Sequence, residues 1–89
     1  MQTASPCYKF ARVDGFADAG PVASASTDAL SAISVWRALD ADRSFTLLAD
    51  VEHAALVAQV SFPAEHLPHA MRDLRELCQE HHIKFELMA

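Results

Sequence analysis

Two adjacent stretches of strict alternation, at residues 45–51 and 56–62, constrain this chain more than any other feature. Phe45, Leu47, Ala49 and Val51 alternate with Thr46, Leu48 and Asp50, and Leu56, Ala58, Val60 and Phe62 interleave with Val57, Gln59 and Ser61. Strand side chains point to opposite faces with period two, so each stretch reads as a strand with one buried face. Antiparallel pairing of Val51 with Leu56 sets Ala49 by Ala58, Leu47 by Val60 and Phe45 by Phe62. That register buries every large inward residue of both strands and leaves residues 52–55 as the hairpin loop.

After Pro63 the period changes. Leu67, Ala70, Met71, Leu74, Leu77, Cys78 and His81 recur at spacings of three and four with charged residues between them, which predicts an amphipathic helix. Pro68 is tolerated at a first helical position but not inside a helix, so the regular helix is expected to start there, after an entry turn over 63–67. Ile83, Phe85 and Leu87 then alternate with Lys84 and Glu86 in a last strand. In the first half, Ala29, Ala32, Ile33, Trp36 and Leu39 share a helical face, with Ser26 or Thr27 as the cap and Asp28 near the positive helix end. Residues 8–13 are the first strand, although Tyr8 and Phe10 are out of phase with Ala11 and Val13. Residues 14–26, which include Gly15, Gly20 and Pro21, read as a long loop.

With 89 residues, positions 1–89 form one domain. The hydrophobic fraction of 52% includes 17 alanines, so few side chains can fill a core and each large one matters. A net charge of -5 repels phosphate backbones, which argues against nucleic-acid binding. No three-part secretory signal and no membrane span is read, and Cys7 and Cys78 are too few for a disulfide framework. The chain is therefore expected to be cytoplasmic, with reduced thiols and no membrane partner.

The order β, α, β, β, α, β resembles the ferredoxin-like fold. The resemblance implies an α+β domain with a four-stranded antiparallel sheet ordered 4-1-3-2 and both helices on one face. It also implies that the 14–26 loop, the 52–55 hairpin and the turn at His81 and His82 lie at one end of the sheet, with Cys7 at the other. Asp14, Asp18, His53, His81 and His82 are then the expected ligand-binding edge, because three connections meet there and a long loop in a small domain calls for a reason.

His66-Leu67-Pro68-His69 and Cys78-Gln79-Glu80-His81-His82 have spacings that can converge on a metal. However, His69, Asp73, Glu76 and Glu80 share one helical side while Cys78 and His81 lie on the other, so no metal centre is expected. No cofactor-binding loop, Ser-His-Asp order or Cys-x-x-Cys occurs, and no catalytic residue is assigned.

Asp18-Ala19-Gly20-Pro21-Val22 followed by a helix resembles the turn with which regulatory ACT domains open their first helix. That resemblance implies a regulatory amino-acid site between paired domains. The expected function is a non-catalytic binding or regulatory module that acts through protein contact or a small ligand, as a homodimer. The alternative is a cofactor-free enzyme of the dimeric α+β barrel type, or a metal-handling protein using the histidine edge. Replacing Leu74 with alanine should cost about 2–5 kcal/mol in urea unfolding, and a loss below about 1 kcal/mol would mean that this helix face is not packed on the sheet.

Overall fold

A computed structural model describes residues 2–13, 25–51 and 54–88. In chain order the elements are β1 (Thr3–Ala4), β2 (Cys7–Arg12), α1 (Ala25–Ala38), β3 (Ser44–Val51), β4 (Ala55–Pro63), a 3-10 turn (Ala64–His66), α2 (Leu67–Glu80) and β5 (Ile83–Leu87). Among the described residues, no helix is long and apolar enough to cross a membrane.

The sheet corrects the expectation of a ferredoxin-like four-stranded 4-1-3-2 arrangement. It has five antiparallel strands curled into a half-barrel, in the path β1-β4-β2-β5, with β3 on β4 off that path. Strand β4 is the hub, since β1, β2 and β3 all pair with it. The amino-terminal segment supplies two strands rather than one because Pro6 has no N–H to give a ladder. Its carbonyl still accepts the Val60 N–H at 3.0 Å, so the break is short and both pieces stay on β4.

The β3–β4 register is also corrected. Val51 faces Ala55, Asp50 faces Leu56 and Ala49 faces Val57; beyond an irregularity at Leu48, Leu47 faces Ala58 and Phe45 faces Val60. The pairing is therefore one residue off the expected register beside the turn, where the Ala54 N–H closes on the Val51 carbonyl at 2.8 Å, and two residues off at the far end. A shift of two keeps Phe45 and Leu47 on the face of Val60 and Ala58. The extra residue swaps faces on the other side, bringing Asp50 opposite buried Leu56.

Both helices lie on one face of the sheet, over a single core. Ala29, Ala32, Ile33 and Trp36 of α1 and Ala70, Leu74 and Cys78 of α2 meet Phe10, Leu56, Ala58, Val60, Phe62 and Ile83 of the strands. Trp36 and Leu74 are fully buried as their periodicity requires, whereas Phe85 is half-buried and Leu39, past the end of α1, is 59% exposed. Tyr8 and Phe10 turn their rings to the core side, where they stack edge-on with each other, and Tyr8 packs the same way on Phe85. Helix α2 begins at Leu67, one residue before Pro68, and the 3-10 turn provides the expected entry. Both thiols are free, and burial pushes that of Cys78 up to about 12.

The helices are locked by a polar arrangement built on Trp36. Its indole N–H donates to the Ala70 carbonyl at 2.8 Å, and its own carbonyl accepts from Arg43 Nη1 at 3.0 Å. The Arg43 guanidinium, with a side chain only 1% exposed, sits 5.0 Å from the Trp36 ring centroid and bonds Asp73 of α2 at 2.8 Å. The Arg43 hydrogen bond holds the Asp73 carboxyl below the usual carboxylate range. Replacing Asp73 with alanine should cost about 3 kcal/mol, the low end for breaking a buried pair, because this carboxylate retains some contact with water. A lowered folded pKa stabilises the fold fully above the unfolded value and is lost as pH falls through the folded one. The stability gap between wild type and Asp73→Asn, read by urea unfolding, should therefore be widest near neutrality and close well below about pH 4.

Candidate functional site

The register change at Leu48 opens a groove between α1 and the edge strand. Its volume is about 420 Å³, and its walls include Leu30, Leu47, Leu48 and Leu56, with Ser26, Thr27 and Asp50 at the polar end. Each wall follows from local structure. Leu30 lies on an exposed flank of α1 beside the buried Ala29 stripe, and Leu56 is the first inward residue of β4 after the turn. Leu47 and Leu48 are 48% and 54% exposed, like the rest of β3 after Phe45.

Asp50 is carried to the helix side by the same shift, and the buried Ser26 hydroxyl donates to its Oδ1 at 3.0 Å. Nearby, Arg12 at the end of β2 pairs with Asp28 in the first turn of α1 at 3.1 Å, which fixes the helix start against the sheet. The groove thus combines apolar walls with a hydroxyl–carboxylate pair, a lining suited to holding an apolar body by one polar group.

The expected histidine edge is only partly described. Asp14, Asp18 and His53 lie outside the described residues, as does the 18–22 turn behind the resemblance to ACT domains. His81 is half-buried and His82 exposed, in the turn between α2 and β5, where the His82 carbonyl accepts the Val13 N–H at 2.9 Å. Pairings of Arg12 with Ile83 and of Ala11 with Ala55 put this turn at the sheet end that also carries the start of β4. The groove shares that end but borders β3, whereas His81 and His82 border β5. With β4 and β2 between them, the two lie about 14 Å apart across the sheet, so one small ligand cannot touch both.

Cys78 is buried in the core and does not join His81 in a ligand set. His66 and His69 are brought together instead with Asp40, at the other end of β3. Sequence reasoning missed Ser26–Asp50, because Asp50 read as an outward residue and Ser26 as a cap. The one available signal was the doublet Leu47-Leu48, in which either leucine can serve as the inward residue.

Comparison of the chain with family models, curated proteins and solved structures finds no match.

His82 has φ 58, the left-handed conformation in which a non-glycine residue strains the backbone, and it follows the last turn of α2 with its N–H on the Gln79 carbonyl at 3.1 Å. His82→Gly should exceed His82→Ala in stability by about 1 kcal/mol in urea unfolding, since both variants lose the ring and differ only in backbone strain.

Proposed function

We propose that this chain is a non-catalytic binding or regulatory module working as a homodimer, in which two copies join along β3 and present the α1/β3 grooves at the seam. One observation carries the reading. Strand β3 pairs with β4 alone among the described residues, and the order of residues along its other edge suits pairing with a second copy.

A twofold antiparallel pairing centred between Leu47 and Leu48 places Leu47 against the partner's Leu48, Thr46 against the partner's Ala49, and Phe45 against the partner's Asp50. Thr46 and Ala49 share the outer side of the sheet, and Phe45 and Asp50 share the helix side, because the shift at Leu48 exchanges faces midway. All eight residues of β3 can therefore pair with the pleat in phase, the exposed leucines meet at the axis, and the two Asp50 carboxylates are kept apart. Dimerisation also removes the exposed edge, which in a single copy invites indiscriminate pairing.

The ligand class follows from the groove walls: an apolar body ending in an amine or hydroxyl that meets Asp50 and Ser26. The regulatory part of the reading rests on the resemblance of the sequence at 18–22 to the opening of ACT domains.

Sedimentation equilibrium from low micromolar to submillimolar concentration tests the proposal. Wild type should reach a dimer. Leu48→Lys should remain monomeric with an unchanged far-ultraviolet circular dichroism spectrum, because its side chain is exposed in the single copy and brings two ammonium groups to the axis of the pair. A wild type that stays monomeric throughout, or a Leu48→Lys variant that dimerises equally, overturns it.

A further inference from the structure

At the end of β3 away from the groove, two helices and a turn bring together a donor set that the proposed binding function does not use. Among the described residues, Asp40, His66 and His69 are the one group of three potential ligands whose donor atoms lie within 4.8 Å of one another. We propose that this is a zinc-class metal site with two imidazoles and one carboxylate.

The backbone explains why the three meet. Asp40 lies in the turn after α1, where its own N–H reaches toward the Arg37 carbonyl and the Arg43 N–H returns to the Asp40 carbonyl at 3.3 Å. His66 stands at the N-cap position of α2 without a side-chain capping bond, and His69 follows three residues later, close enough that the ring centroids are 4.8 Å apart. The Trp36–Ala70 and Arg43–Asp73 bonds clamp that first stretch of α2 to the 40–43 turn, so the carboxylate and the imidazoles are held by the same contacts that hold the helices.

The distances suit a shared ion better than direct bonding. The Asp42 N–H donates to Asp40 Oδ1 at 3.0 Å, which orients the carboxylate and leaves Oδ2 toward the histidines. Oδ2 is 3.9 Å from His66 Nδ1 and 3.9 Å from His69 Nε2, too long for hydrogen bonds. A zinc ion with ligands about 2.0–2.2 Å away holds neighbouring donors about 3.3 Å apart, so the set, whose donors lie within 4.8 Å of one another, closes on the ion by side-chain adjustment.

A second observation points the same way. His66 Nδ1 is buried and has no hydrogen-bond partner, an expensive state for a polar ring atom facing a carboxylate across a gap. The positive end of α2 opposes a cation here, and the Asp40 carboxylate counters it. Side-chain exposures of 26%, 27% and 41% for Asp40, His66 and His69 leave the ion an open side for water or a fourth ligand. Two imidazoles and one carboxylate select a borderline transition ion over magnesium or calcium, which take oxygen donors.

The test is calorimetric titration of the tag-free, chelator-stripped protein with Zn²⁺, together with the visible absorption of Co²⁺ as a geometry probe. Wild type should bind one Zn²⁺ per chain without competition from excess Mg²⁺. Asp40→Asn, which can still accept the Asp42 N–H, and His69→Gln should each weaken binding at least about tenfold, the smaller end of what even outer partners of a metal site cost. Both metal-free variants should keep the wild-type circular dichroism spectrum, and His82→Gln should bind as wild type does. Absence of Zn²⁺ binding by wild type, undiminished binding by both site variants, or an equal loss in His82→Gln overturns the assignment.

Discussion

A buried guanidinium organises this small domain. A charge removed from water must be repaid by partners held in good geometry, and Arg43 finds them on both helices: the Trp36 carbonyl and ring on α1 and the Asp73 carboxylate on α2. The satisfied partners constrain more than the pair itself. They set the height of α2 against α1 and bring the indole N–H of Trp36 to Ala70. They also draw the 40–43 turn under the helix pair. Arg43 Nε, buried and without a hydrogen bond among the described residues, shows that the compensation is incomplete. A core rich in alanine has few large side chains with which to fix helix positions by packing, and here directional bonds do part of that work.

What could be read from the residues follows their physics. The alternation of β4 and the three-four spacing of α2 are strong because burial of one face permits no other phase, and both elements appear where those patterns lie. The hairpin register was not legible. Alternation has period two, so a shift of two residues preserves the buried set, and Leu47-Leu48 allows an extra residue without breaking the pattern. The four-stranded ferredoxin-like order failed at Pro6, whose lack of an N–H turns one expected strand into two. Arg43 gave no sign at all: a single arginine before a strand looks the same whether it is solvated or buried.

The candidate site was legible only as a location. Reasoning from strand order reached the sheet end that carries the turn at His81 and His82 and chose the histidine edge there, of which Asp14, Asp18 and His53 lie outside the described residues. The groove with Ser26, Asp50 and its leucines lies at that end too, across the sheet, and was not legible in the sequence. The spacing of His66 and His69 is legible in the sequence, but the candidate ligands around α2 fall on opposite helical sides and cannot share one ion without another segment. Asp40 comes from a different element, 26 residues earlier, and only the clamp between the helices brings it in.

The two cysteines give the domain an internal clock. Cys78 lies in the core with its thiol held in the protonated, unreactive form, while Cys7 is partly open to solvent on β2. An alkylating reagent added to the native protein meets one accessible sulfur at once and the other only when α2 lifts from the sheet. The second modification then proceeds at the frequency of that opening, so counting labelled thiols over time measures the breathing of the core without a denaturant.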